Sequence, residues 1–254
     1  MELYVFQFVL FLMVFLRTTS LIAIAPVLGH IAVPVQVKVG LGAFMAFVLY
    51  PVLAGRTPHL DLQLVPLVIM GVQEVLTGLF IGFAMGLAFS GVRAAGELIG
   101  FELGLSIASA LDPETGPNNV IGGFLYLVAM LVFLLVNGHH AVLQGLVLSY
   151  DAVPLNALVF GAAGVDRLVR LTGLVFIIGV QCAAPVIVAS FLVNVALAIL
   201  ARVAPAVNVF IISFPVKIAV GMLVLMTGAP FMVFVFKKLL EGFQEQVLQF
   251  VRVL

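Results

Sequence analysis

Charge is what this sequence has least of. Only 9% of its 254 residues are Asp, Glu, Lys or Arg, against about 25% in an ordinary globular chain. A soluble protein of this length buries a sizeable core but still needs a polar skin. Eleven basic and eleven acidic residues cannot supply one, so most of the surface must meet lipid or other apolar protein. The balanced charge also excludes the basic face that nucleic acid requires. Cysteine is nearly absent. The single Cys182 lies in an apolar run, where it reads as a small core residue; it allows neither an intramolecular disulfide nor a four-cysteine metal site. Histidine is almost as rare: His30 and His59 are remote, and His139-His140 are adjacent. Neighbouring positions point about 100° apart on a helix, so they are not the i,i+4 pair of a zinc protease. No phosphate-binding loop, nucleophile elbow or His-framed carboxylate pair occurs. No catalytic residue, metal ligand or cofactor site is therefore expected, and the chain is not read as an enzyme.

What fills the sequence is hydrophobic residue, 64% of the total. A hydrocarbon core about 30 Å thick takes roughly 20 apolar residues in helix. Reading between charges and Pro/Gly breaks gives six such segments: Leu3–Ala25, Val33–Ala54, Leu64–Phe89, Val120–Leu148, Leu171–Leu200 and Val209–Phe236. Short connectors carry the breakers, as in Pro26-Val27-Leu28-Gly29, Gly55-Arg56-Thr57-Pro58 and Asp112-Pro113. Backbone polar groups must be paired inside lipid, which makes helix the default. A β-barrel would show short stretches alternating at period two, and these runs are continuous. The expectation is an all-α, polytopic membrane protein of about six long apolar helices, with residues 1–254 a single helical membrane domain. Glu2 is the only charge before Arg17, the reverse of a cleaved signal's order, so the first segment is expected to be retained. Arg56, Arg167, Arg170 and Lys237-Lys238 fall on one side of six spans, which makes that side cytoplasmic.

Several features stand out against this background. Arg17, Lys38, Glu74 and Lys217 interrupt apolar runs, and Arg93 and Glu97 open the most distinctive stretch. A charge at membrane depth costs a few kcal/mol at least and faces protein or water, so these helices are expected to face partner helices. Gly78, Gly82 and Gly86 recur at four-residue steps, as do Gly96, Gly100 and Gly104. Each set lies along one helix face, where a missing side chain admits a neighbouring backbone. That neighbour is another helix of this chain, another subunit or a pore lining; the spacing alone does not choose. Between Arg93 and Asn119 the stretch holds Ser106-Ile107-Ala108-Ser109-Ala110-Leu111 and then Asp112-Pro113. Proline drives the residue before it from helical geometry, so a helix should stop there. Non-helical backbone at membrane depth is tolerated only inside protein or beside a water-filled cavity. The segment is thus either an extramembrane loop or a re-entrant obstruction. In 237–254, Leu240, Phe243, Val247, Phe250 and Leu254 alternate with Glu241, Glu245 and Gln249, the pattern of an amphipathic tail lying on a membrane or a partner.

These residues together carry a family resemblance. Arg17, Ala25-Pro26-Val27 and Pro34 begin it, followed by Arg93-Ala94-Ala95-Gly96-Glu97-Leu98-Ile99-Gly100 and the run from Gly104 to Asp112-Pro113. Asn137-Gly138-His139, Ser149, Pro154, Pro185, the run Arg202 to Phe210 and Ser213-Phe214-Pro215-Val216-Lys217 complete it. The chain resembles the FliR/SctT family of type III export-gate subunits along essentially its whole length. The resemblance implies a structural subunit of the flagellar protein export gate in the bacterial inner membrane, at the flagellar basal body. It implies FliP-like and FliQ-like partner subunits, an FlhB-like switch protein at the cytoplasmic mouth, and unfolded flagellar substrates passing through. It also implies bent helical hairpins that rise above the membrane plane, with many helices against protein instead of lipid. The segment after the third helix acts in the family as a plug, which places Ser106, Ile107, Ala110, Leu111, Asp112, Pro113 and Gly116 in that role here. Some relatives carry bulky aromatics there; this chain has Ile107 and Ala110. Two alternatives stand beside the flagellar reading. One is an injectisome gate subunit; the other is a solute transporter, for which related halves are expected and no repeat is visible.

Overall fold

The computed structural model describes residues 2–55, 63–105, 119–155 and 162–251. Among them no strand occurs, and seven helices follow in order. These are α1 (Glu2–Ile24), α2 (Val35–Ala54), α3 (Leu64–Glu102), α4 (Val120–Leu135), α5 (Gly138–Ala152), α6 (Ala162–Val203) and α7 (Val209–Val251). Five helices are long and apolar enough to cross a membrane, or six if α4 and α5 count as one. The chain is an all-α polytopic membrane protein.

Local chemistry explains most boundaries. Pro34 precedes α2 with φ −56° and ψ 143°; its fixed φ suits a helix start and its missing N–H costs nothing there. Asn119 opens α4 by accepting a hydrogen bond from the Gly122 N–H at 3.1 Å, the usual service of an N-cap amide. Pro51, Pro185, Pro215 and Pro230 lie within helices, as membrane helices tolerate when neighbours satisfy the freed carbonyls.

Two expectations about the spans change. The fourth segment is two helices, because Asn137 takes the left-handed conformation (φ 55°, ψ 33°) and restarts the chain as α5. Asn reaches that region more readily than other side-chain-bearing residues. The third segment also runs on to Glu102, the fifth begins earlier, at Ala162, and the sixth continues without a break to Val251. The helices α3, α6 and α7 contain 39, 42 and 43 residues. At about 1.5 Å per residue each has a contour of about 60 Å, twice the hydrocarbon thickness of about 30 Å. Charge marks where an apolar run ends but does not stop a helix, so Arg93 and Glu97 stay within α3.

The chain forms two compact units, Met1–Leu87 with Asn137–Thr172 and Glu241–Leu254, and Ala88–Val136 with Gly173–Leu240. In the first, Leu10, Val14, Leu21, Ile22, Ile81 and Leu146 form a buried apolar core. In the second, Ile99, Leu103, Ala129, Ile178, Ala183 and Phe236 do so. There Phe89 packs edge-on against Tyr126 and Phe133, with ring centroids 5.8 and 5.3 Å away, the arrangement favoured by aromatic quadrupoles. Much apolar surface stays uncovered: Phe210, Ile211 and Met226 of α7 are 71%, 66% and 69% exposed.

Candidate functional site

The most polar place in the interior is built by three helices of the first unit. Arg17 on α1 is 0% exposed and Glu74 on α3 is 2% exposed. The Arg17 Nε donates to Glu74 Oε2 at 2.6 Å and Nη2 donates to Oε1 at 2.9 Å. This is the bidentate fork that a planar guanidinium makes with a carboxylate. Its other donors reach the end of α5: Nη1 to the Ser149 carbonyl at 3.0 Å, and both Nη1 and Nη2 to the Val153 carbonyl at 3.0 Å. The Ser149 Oγ accepts from Nη1 at 3.3 Å while donating to the Leu146 carbonyl at 2.6 Å. The guanidinium carbon lies 4.3 Å from the centroid of the Tyr150 ring, within reach of a cation–π attraction.

The other interrupting charges are placed differently. Lys38 donates to the Gly29 carbonyl at 2.7 Å, in the turn before α2. Arg93 is exposed, with its guanidinium 4.9 Å from the Tyr126 ring centroid; Glu97 is exposed one turn on, and Lys217 is partly exposed on α7. Arg17 and Glu74 do face other helices, and those helices belong to this chain, where the two residues satisfy each other. Opposite charges in two separate apolar runs were the available signal for this pair. The contributions of the Ser149 and Val153 carbonyls left no sequence signal, because any residue supplies a carbonyl.

The glycine faces meet close neighbours at five of six positions. A Cβ at Gly78 would collide with Ser20 and the Arg17 carbonyl, and one at Gly82 with the Leu21 carbonyl, all on α1. Gly96 faces the backbone of Gly122, and Gly100 faces the Asn119 amide. Gly104 has φ +77° and lies against the Phe214 ring, so both backbone and space call for glycine. Gly86 has open space where its Cβ would be. Asn119 also donates to the Gly96 carbonyl at 2.8 Å, so one side chain caps α4 and ties it to α3.

The plug residues Ser106, Ile107, Ala110, Leu111, Asp112, Pro113 and Gly116 lie outside the described residues. The His139 and His140 rings are 4.3 Å apart; among the described residues no group of three metal-ligating side chains gathers. Cys182 is buried in the second unit.

Comparison with known proteins adds the relationship. Residues 8–243 match the family of bacterial export proteins, family 1. The flagellar biosynthetic protein FliR of Pectobacterium carotovorum subsp. carotovorum is 38% identical over 213 residues, covering 83% of this chain and 80% of its own. FliR of Bacillus subtilis (strain 168) is 34% identical over 220 residues, covering 85% and 84%. The Yop proteins translocation protein T of Yersinia pestis is 28% identical over 214 residues, covering 82% and 81%. With matches that run through α1 to α7 and include the helices that build the Arg17 cluster, the chain belongs to the bacterial export proteins of family 1, the FliR/SctT family.

Proposed function

We propose that this chain is a structural subunit of the flagellar type III export gate in the bacterial inner membrane. The observation that carries the reading is the length of α3, α6 and α7. Three apolar helices twice as long as a bilayer is thick cannot all be solvated by lipid. Their exposed Phe, Ile and Met side chains call for other apolar chains, as in a multi-subunit gate. FliP-like and FliQ-like subunits and an FlhB-like switch protein are the partners of this reading, and unfolded flagellar proteins are the cargo. Thr19 Oγ1, Gln73 Oε1 and His139 Nδ1 are buried with no hydrogen-bond partner among the described residues, which fits donors and acceptors arriving from neighbouring subunits. Three relatives named for the flagellum are 34–38% identical, four more are 25–28% identical, and the Yersinia translocation protein is 28% identical. The three higher matches all carry the flagellar name, which favours the flagellum over the injectisome.

The test is complementation of a strain lacking its own FliR, with affinity purification of the tagged chain. The expected result is restored motility and stoichiometric recovery of apolar partner subunits. A stable monomer purified without partners, together with no restored motility, overturns the reading. Within it, residues 106–116 form the plug, sealed by Ile107 and Leu111 through exclusion of water from a narrow apolar passage. Replacing the segment with a Gly/Ser linker should raise permeability to a small impermeant solute while assembly persists. Equal permeability in an assembled gate removes the plug assignment alone.

A further inference from the structure

We propose that Arg17 is a positioning residue that caps the C-terminus of α5 across the fold, and that Glu74 serves to orient it. A buried Arg–Glu pair in a membrane protein ordinarily points to an ion or proton path. The hydrogen bonds here point elsewhere. A guanidinium has five N–H donors. Nε and one Nη2 proton engage the two oxygens of Glu74, at 2.6 and 2.9 Å. The others go to the Ser149 and Val153 carbonyls, each bond at 3.0 Å. Every donor is committed, and both carboxylate oxygens face the same cation.

The acceptors explain why the cation is there. A helix leaves its last four carbonyls without intrahelical partners, and in water-free surroundings each orphan is costly. The end of α5 is such a place: Ser149 is 0%, Val153 2% and Leu155 5% exposed. The Ser149 carbonyl already accepts from the Val153 N–H at 2.9 Å and takes a second bond from Arg17, whereas among the described residues the Val153 carbonyl is met by Arg17. Helices often solve this with a basic residue in their own last turn, but α5 has none. Arg17 supplies from α1 what α5 lacks, and its charge also meets the negative end of the helix dipole. A lysine has three donors on a flexible stem and no planar fork, so it cannot keep the bidentate hold on Glu74 while also serving both carbonyls.

The test uses the full chain in cells that carry the whole export apparatus. Chain level in the membrane, exported protein per copy and amide exchange in the purified complex are measured for four variants. Peptides over 149–155 report on the cap, and peptides over 121–135 serve as the internal reference. For Arg17→Lys and for Arg17→Met/Glu74→Leu the expected result is a fall in chain level of fivefold or more. In surviving protein, exchange over 149–155 should rise about tenfold with the reference unchanged. Ser149→Ala removes only the hydroxyl and should stay within twofold of wild type. Glu74→Gln should lower chain level and leave export per remaining copy unchanged.

Four results overturn the proposal. Wild-type level and exchange in the double variant would show that the two charges serve only each other. Wild-type behaviour of Arg17→Lys would show that a point charge suffices; if the double variant does not accumulate, this comparison decides. A Ser149→Ala defect as severe as that of Arg17→Lys would move the role to the hydroxyl. Normal level with export abolished in Glu74→Gln would assign the pair to proton transfer. Level and exchange do not depend on the export-gate reading, so failure of the cap and failure of that reading are distinguishable.

Discussion

The two units share close glycine contacts, Gly78 and Gly82 against α1 in the first and Gly96 against Gly122 in the second, and differ in what they add to them. In the first, α1, α3 and α5 converge on a buried ion pair that takes up the carbonyls at the end of α5. In the second, α3 and α4 meet where side chains are missing, Gly96 against the backbone of Gly122, and an edge-packed aromatic trio fills the space beside them. Even the helix ends differ. The end of α5 is capped by a charged fork, whereas the Glu102 carbonyl near the end of α3 accepts from the Ser190 hydroxyl at 3.3 Å. The contrast shows two answers to one problem. Where water is scarce, the hydrophobic effect between helices is weak, and association rests on close packing or on polar groups that have no other partner. A charge network is specific but fails abruptly when halved. A glycine contact loses stability in proportion to the volume added.

The sharpest way to break the comparison is to halve the network. Glu74→Leu leaves the Arg17 charge buried and unpaired, and removing one partner of such a pair costs about 3–5 kcal/mol. The expected outcome is loss of the chain from the membrane, measured by immunoblot in cells carrying the apparatus. Near-normal accumulation would mean that the charge finds other compensation.

Gly96→Leu comes next. Its side chain would meet the Gly122 backbone, which cannot rotate away as a side chain can, and overpacking of this kind costs about 1–3 kcal/mol. Reduced gate assembly and motility are expected, with Gly96→Ala intermediate. Equal assembly of Gly96→Leu and wild type would show that α3 and α4 are not held at this point.

Asn119→Ala should cost about 1–2 kcal/mol, from loss of an N-cap and of one further hydrogen bond. A lower apparent Tm of the purified complex, followed by circular dichroism, is the readout. An unchanged Tm would remove the double role assigned to this amide. The smallest effect is expected at Gly86, where a Cβ meets open space. Gly86→Ala should be neutral or stabilise by up to about 1 kcal/mol through helix propensity. A strong assembly defect there would place another subunit's backbone against that face.

Particular residues mark how far the sequence alone reaches. The apolar runs located all the long helices because burial in lipid demands continuous hydrophobicity, which composition displays directly. The break at Asn137 was missed, since a single left-handed residue within an apolar run leaves the hydropathy unchanged. The overruns of α3 past Phe89 and of α6 before Leu171 were missed because hydropathy reports where lipid could begin, and helix bounds have other causes. Of the candidate residues, Arg17 and Glu74 stood out singly as misplaced charges. Gly78 and Gly96 stood out by spacing, although the spacing did not name what they face.

Membrane residence, helical class and family were therefore determined by the sequence itself, because each depends on which residues are present and in what order. The pairing of Arg17 with Glu74, the capping of α5 from α1 and the contact of Gly96 with Gly122 were decided only by the tertiary structure. Each joins positions far apart in the chain, and the last two rest on backbone atoms. Every residue carries those same backbone atoms, so only their arrangement in space distinguishes the ones that matter.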